Sequence, residues 1–333
     1  MIEKAPKLTP EQLVEKMKEK NIRCELKSED EEAEYLKMHN NYFRTASYRK
    51  NYEKYREGNN IGKYIDLDFS YLSELATIDM HLRFIVIKMC LDIEHSLKVK
   101  LLSDITVNDN EDGYSIVSDF LSRNKYILND IFYKARSTYV GDLINKYFIF
   151  KTGNSESAAN AFDECEINCP IWAFMEIITF GDFTRLYSFY YEAYPDMQNY
   201  SGVLNSVKSL RNACAHNNCL IHNLRKGGTF PTKKISAFIS KISSISKSER
   251  KSALSARAVY ELTALVYLYN EVVFEPVKEH RLCELADFIN GRMIRHADYF
   301  QNQDIIKSSY RFFKKVVDFL IETAYNTDDI KKQ

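Results

Sequence analysis

Apolar residues recur every three to four positions along most of this chain, and the runs are long. Leu75, Ile78, Leu82, Ile85, Met89, Ile93 and Leu97 fall on one stripe, which predicts a long amphipathic helix over 69–103. Asp79–Arg83 and Glu94–Lys98 lie beside that stripe as i,i+4 pairs. They read as an internal ion-pair ladder or, more specifically, as support for a neighbouring site. Val203, Leu204, Val207, Leu210 and Cys214 mark a shorter stripe over 202–216, with Asn205, Lys208, Ser209, Asn212 and His216 on the opposite face. Thr9 ahead of PEQL predicts a capped helix over 9–20, and the acidic run 29–34 reads as a second helix start. Residues 115–150 predict one or two aromatic-rich helices, and 151–161 a polar loop. Pro170-Ile171-Trp172 opens a helix that Gly181 breaks or bends, with Trp172 expected as a core anchor. Residues 254–274 and 282–323 return to helical spacing. Ten Gly and six Pro in 333 residues leave few breakers, so the fold class expected is all-α.

Composition adds limits. A chain of 333 residues makes one large domain or two ordinary ones, and 23 Tyr and 20 Phe supply ample core material. Lys+Arg and Asp+Glu balance at 46 each, so no global positive field marks a nucleic-acid binder, although a local basic face suffices. The seven cysteines are odd in number and irregularly spaced, and no signal peptide is evident. Both features suggest reduced thiols and a cytoplasmic location. Cys165-x3-Cys169 and Cys214-x4-Cys219, with His216 and His222 nearby, do not match the paired C-x2-C spacing of structural zinc. Neither metal nor cofactor is expected. No apolar run reaches the ~20 residues needed to cross a bilayer.

The chemistry concentrates in Arg211-Asn212-Ala213-Cys214-Ala215-His216. No other histidine of the chain has an arginine five positions before it. Histidine exchanges protons near neutral pH, and arginine keeps its charge and holds phosphate with paired donors. Asn212 and His216 share a helix face at i,i+4, whereas Arg211 and His216 project about 140° apart. Two such helices, antiparallel or related by symmetry, would let each supply part of one site, so the spacing favours a dimer. Basic residues flank the motif. Arg44, Arg49, Lys50, Lys54 and Arg56 interleave with Tyr52 and Tyr55, a pattern suited to single-stranded RNA; the alternative reading packs most of these tyrosines inward. Residues 225–251 carry eight basic residues, among them Arg225, Lys226, Lys233 and Lys234, against Glu249. Gly227, Gly228, Pro231 and the serines make part of this stretch a flexible loop, read as an RNA-binding flap or a solvated connector.

Four blocks, in order, resemble one family. They are N-N-Y-F-R-T-A-S-Y (40–48), I-D-x-x-L-R…I-E-x-x-L-K (78–98), P-I-W-x-x-x-E…F-G-D-F-T-R-L-Y (170–187) and S-L-R-N-A-C-A-H-N-N (209–218). Together they resemble the Abi (abortive infection) family of bacterial phage-defence proteins over roughly 35–225. That family belongs to the HEPN group of α-helical ribonuclease-like domains and is related to the HEPN nucleases of type VI RNA-guided CRISPR effectors. The resemblance implies a HEPN-like helical bundle over 35–225, with an N-terminal helical extension over 1–34 and a basic loop plus C-terminal helices over 226–333. It also implies a metal-independent endoribonuclease, dimeric, with Arg211 and His216 as the motif pair and Asn212 as its polar second residue. Where many relatives carry a second His and an Arg after the motif histidine, this chain has Asn217-Asn218-Cys219.

In that reading His216 is the acid or base for attack of a ribose 2′-OH on the adjacent phosphorus, and Arg211 stabilises the phosphate. Arg44, Arg49, Lys208, Arg225, Lys226, Lys233 and Lys234 are the RNA-contact candidates. The partner is RNA and not DNA, since the reaction requires the 2′-OH. Two alternatives remain: a non-cleaving HEPN RNA-binding protein, held with a small non-coding RNA, and a helical scaffold for other defence proteins.

Overall fold

The computed structural model describes residues 6–150 and 165–331; the expected 151–161 loop lies outside them. Fifteen α-helices and four strands of two or three residues make up the described chain, so the all-α expectation holds. The helices form where local chemistry starts and stops them. In α1 (Pro10–Lys18) Thr9 and Gln12 close a capping box, and Ser28 and Glu31 do the same for α2 (Glu29–Met38). The 38 residues of α4 (Phe69–Thr106) contain neither Gly nor Pro, and Asp68 accepts the Ser70 N–H at its start, at 2.8 Å. All seven positions of its sequence-predicted stripe are buried.

The chain divides into two compact units, one of residues 1–90 with 209–333 and the other of residues 91–208. In the first, α1, α2, α3 (Tyr42–Ser47) and a 3-10 turn over Tyr48–Asn51 lead to α4, while β1 (Ile22–Arg23) and β2 (Leu67–Asp68) pair in parallel. Its centre is α13 (Arg257–Val272), buried on every face, as a helix surrounded by others must be. Leu75, Ile78 and Leu82 of α4 face Ile221, Val259 and Phe313 around an apolar void of about 120 Å³. The second unit holds α5 (Ser115–Arg123), α6 (Lys125–Lys134), α7 (Gly141–Tyr147), α8 (Ile171–Ile177) and α9 (Phe180–Ala193). It also holds the antiparallel pair β3 (Phe148–Phe150) and β4 (Cys165–Ile167).

Several expectations change in detail. Residues 115–150 make three helices rather than one or two. The break between α8 and α9 sits at Ile178–Thr179, both extended, and Thr179 caps α9 by accepting the Asp182 N–H at 3.2 Å. Gly181 is inside the first turn of α9, so the cap and not the glycine makes the break. Trp172 is half-exposed (48%). It stacks edge-on against Tyr114 and covers Gly113, a left-handed turn at φ +76°, instead of anchoring the core. Lys233–Ser240 and Lys247–Leu254 are helices α11 and α12, which confines the basic loop to the stretch ahead of α11. The 282–323 periodicity belongs to α14 (Val277–Asn290) and α15 (Asp304–Lys331), parted by 3-10 turns after Gly291. A Cβ at Gly291 would lie 2.8 Å from the Asp287 carbonyl, so only glycine fits that helix end.

Candidate functional site

The R-x4-H segment occupies the end of α10 (Ser201–Ala215), and its geometry follows from how that helix stops. Asn217 adopts a left-handed backbone at φ +56°. Asn218 N–H reaches back to the Ala213 carbonyl at 2.7 Å and Asn217 N–H to Cys214 at 2.9 Å. These two bonds make a Schellman termination with Asn217 as the left-handed residue, a position that asparagine fills best after glycine. His216 is therefore the final cap residue of the helix, exposed to solvent, with its own N–H still bonded to the Asn212 carbonyl at 2.9 Å. Arg44 on α3 donates to the Asn217 carbonyl, a cation placed where the helix end carries negative partial charge.

Arg211 is half-buried, and its Nε is buried without a hydrogen-bond partner. No ion pair engages its guanidinium among the described residues. Asn212 is exposed. Cys214, between the two motif residues, faces inward, and burial pushes its thiol up to about 12; it is a packing residue at neutral pH.

Behind the motif, a buried polar frame holds the chain that follows it. Asp79 on α4 is fully buried. Its carboxylate accepts the Leu220 N–H (3.0 and 3.2 Å to its two oxygens), the Ile221 N–H (3.0 Å) and the Tyr48 hydroxyl (2.8 Å). Its i,i+4 partner Arg83 closes an ion pair at 2.5 Å. Burial pushes the Asp79 carboxyl upward, opposed by Tyr48, Ile221, Arg83 and Leu220. Asn51 completes the frame by donating to the Ile221 carbonyl (3.0 Å) and accepting the Leu224 N–H (2.8 Å). The Asp79–Arg83 pair is a buried i,i+4 ion pair, as the first of its two readings expects, and its carboxylate also buttresses the segment that leaves the motif helix. Sequence reasoning missed Asn51 and Tyr48 as parts of this frame, although Tyr48 lies inside one of the four quoted blocks.

A family model described as Abi-like protein matches residues 34–222, more than half of the chain. The chain belongs to the Abi-like family. The match ends just after Ile221, so it takes in Tyr48, Asp79, Arg83, the motif helix and most of the segment they hold. Membership points to abortive infection as the process served. Neither the comparison with curated proteins nor that with solved structures finds a match. No helix among the described residues is long and apolar enough to cross a membrane.

The Abi-like chain disposes the RNA-contact candidates unevenly. Arg44 lies at the motif through Asn217. Arg225 is engaged within the protein: it donates to the Lys50 and Tyr52 carbonyls at 2.5 and 2.8 Å and pairs with Glu53 at 2.6 Å, which clamps the outgoing chain. Arg49 donates to the Ala46 carbonyl at 2.8 Å and lies over the Tyr42 and Tyr64 rings. Tyr48 and Tyr52 are buried, in line with the inward packing of the aromatics. Lys226, Lys233 and Lys234 are exposed, the last two on the first turn of α11. Lys208 belongs to the other compact unit.

Proposed function

We propose that this Abi-like protein is a metal-independent endoribonuclease of the HEPN type acting in phage defence. The observation that carries the reading is the unpaired Arg211 cation, five residues ahead of an exposed His216 on the same helix end. No hydrogen bond or ion pair within the described chain takes up the Arg211 guanidinium charge, which leaves the cation for a phosphate. Arg211 then holds the phosphate and stabilises the charge that builds on it. His216 takes the proton from the ribose 2′-OH as that oxygen attacks the adjacent phosphorus. The P–O5′ bond breaks, and the departing 5′ oxygen receives a proton from the second histidine of a dimer or from water. Products are a 2′,3′-cyclic phosphate and a 5′-hydroxyl end. Acid–base help of this kind contributes ~10²–10⁴ in rate, and the charge stabilisation a similar factor. Asn212, on the His216 face, orients the imidazole or contacts RNA, and Arg44 braces the turn beside it.

A homodimer supplies what one helix lacks, because Arg211 and His216 diverge by about 140° on a regular helix. Met80 and Phe84, one turn apart on α4 and flanking the buried Arg83, are exposed at 37% and 59%, apolar surface for a partner protomer to cover.

The test measures cleavage and binding of the same single-stranded RNA by wild type, His216→Ala and Arg211→Ala. The expected result is loss of cutting in both variants, with His216→Ala still binding RNA. Binding by wild type without cutting at any enzyme concentration would assign the motif to RNA capture instead. Cutting of the matching DNA would sink the 2′-OH mechanism.

A further inference from the structure

A second polar cavity lies on the first unit, beside the clamp and apart from Arg211 and His216. Its volume is about 610 Å³, within the ~300–1,000 Å³ of small-molecule sites. Three separate stretches build it: Arg225 and Lys226 after the motif segment, α12 with Glu249, and α15 with Arg311 and Lys315. Lys315 is satisfied by Glu249 at 2.8 Å and by the Ser244 carbonyl at 2.9 Å. The Lys226 and Arg311 side chains are exposed and have no hydrogen-bond or ion-pair partner among the described residues. Four cations and one carboxylate line the cavity, Arg225 being held by Glu53 and Lys315 by Glu249. Two of the cations, Lys226 and Arg311, are unpaired, and Ser252 and Ser309 add hydroxyls at its wall, while the Ser308 hydroxyl donates to the Ile305 carbonyl at 3.2 Å. Leu224, Ala253 and Ala256 make an apolar side, and the Gly227 N–H, bonded to the Ser255 carbonyl at 3.0 Å, ties the rim closed against the end of α12.

We infer that this cavity binds a nucleoside polyphosphate. The excess positive charge suits a di- or triphosphate, because unpaired cations beside hydroxyl donors recognise phosphate oxygens by charge-assisted hydrogen bonds. The apolar wall of Leu224, Ala253 and Ala256 takes the base, and the volume admits one nucleotide rather than a helix or a strand. The inference does not depend on RNA cleavage: none of these residues belongs to the R-x4-H motif. The site touches the motif frame through Leu224, whose N–H is held by Asn51, and through the Arg225 clamp on the Lys50 and Tyr52 carbonyls, so occupancy would stiffen the segment leaving His216.

The experiment is titration calorimetry on the full chain at fixed ionic strength with ATP, GTP, inorganic triphosphate and a short RNA bearing a 5′-hydroxyl. The expected result is saturable one-to-one binding of at least one nucleoside triphosphate, tighter than inorganic triphosphate. Binding should weaken at least tenfold in the Lys226→Gln, Arg311→Gln double variant and stay unchanged in His216→Ala. Both substitutions fall on exposed side chains, and an unshifted melting temperature without nucleotide certifies that the variant folds. No saturable binding at millimolar nucleotide overturns the proposal, as does equal affinity in the double variant. Equal affinity for inorganic triphosphate removes the nucleoside from it. Tighter binding of the RNA, competing with nucleotide and lost in the double variant, makes the cavity an RNA groove and overturns it too.

Discussion

Removing the Asp79 charge is the perturbation that the structure makes most informative. Asp79→Asn keeps the shape but leaves one acceptor oxygen where the carboxylate served two backbone N–H groups, the Tyr48 hydroxyl and Arg83. Breaking a buried ion pair from one side costs about 3–5 kcal/mol, and hydrogen bonds to a charged acceptor are worth about 1.5–3 kcal/mol each. These contributions overlap, and the burial that pushes the carboxyl upward already offsets part of them. The expected loss is therefore about 3 kcal/mol, a large share of the ~5–15 kcal/mol that folded domains hold. Arg83→Met alone should cost a similar amount. The double variant Asp79→Asn, Arg83→Met should cost clearly less than the two singles summed, because no uncompensated charge is left buried. Urea unfolding reads the stabilities, and amide exchange across 217–224 reads the local effect, since the Leu220 and Ile221 amides lose their acceptor. A loss below about 1 kcal/mol in Asp79→Asn, additive singles, or unchanged protection of those two amides would refute the buttress.

Asn217→Gly should leave stability within about 0.5 kcal/mol, whereas Asn217→Val should cost about 1–2 kcal/mol by thermal melting, because a branched residue resists the left-handed turn that ends the motif helix. Glu32 on α2 is buried, and burial holds its carboxyl up to about 8 against the opposing Cys24 thiol. Its folded value lies above the unfolded one, so its contribution is fully present below about pH 4 and is lost as pH rises toward 8. The stability of Glu32→Gln relative to wild type should therefore climb between pH 5 and 8 and then level off; a pH-independent difference would contradict this. Cys214, pushed up to about 12 by burial, should resist iodoacetamide in the native protein at pH 8 and react once unfolded, as read by peptide mass spectrometry. Thr179→Ala should cost about 1 kcal/mol through loss of the α9 cap.

What the chain announced by itself was whatever is decided within a few residues. Thr9 and Gln12 start α1, the seven-residue stripe marks the buried face of α4, and the apolar and polar faces of 202–216 place the motif on one helix. Each depends on spacing along the chain or on one local hydrogen bond. The break lies at Thr179 rather than at the expected Gly181, because a cap and a flexible residue two positions apart leave the same gap in periodicity. Trp172 was read as core because size and apolarity do not say whether a glycine turn is there to be covered. Tertiary structure alone decided the rest. The Asp79 carboxylate meets Leu220 and Ile221 more than a hundred positions away, and Asn51 bonds to Ile221 at a still greater separation. Arg225, one cation among eight in its stretch, becomes a clamp because three carbonyl and carboxylate oxygens from 50–53 surround it. Arg311, unremarkable on its own helix, joins Lys226 around a cavity. Helical periodicity reports which face of an element turns inward, but it carries nothing about which other element that face will meet, and the site is made of such meetings.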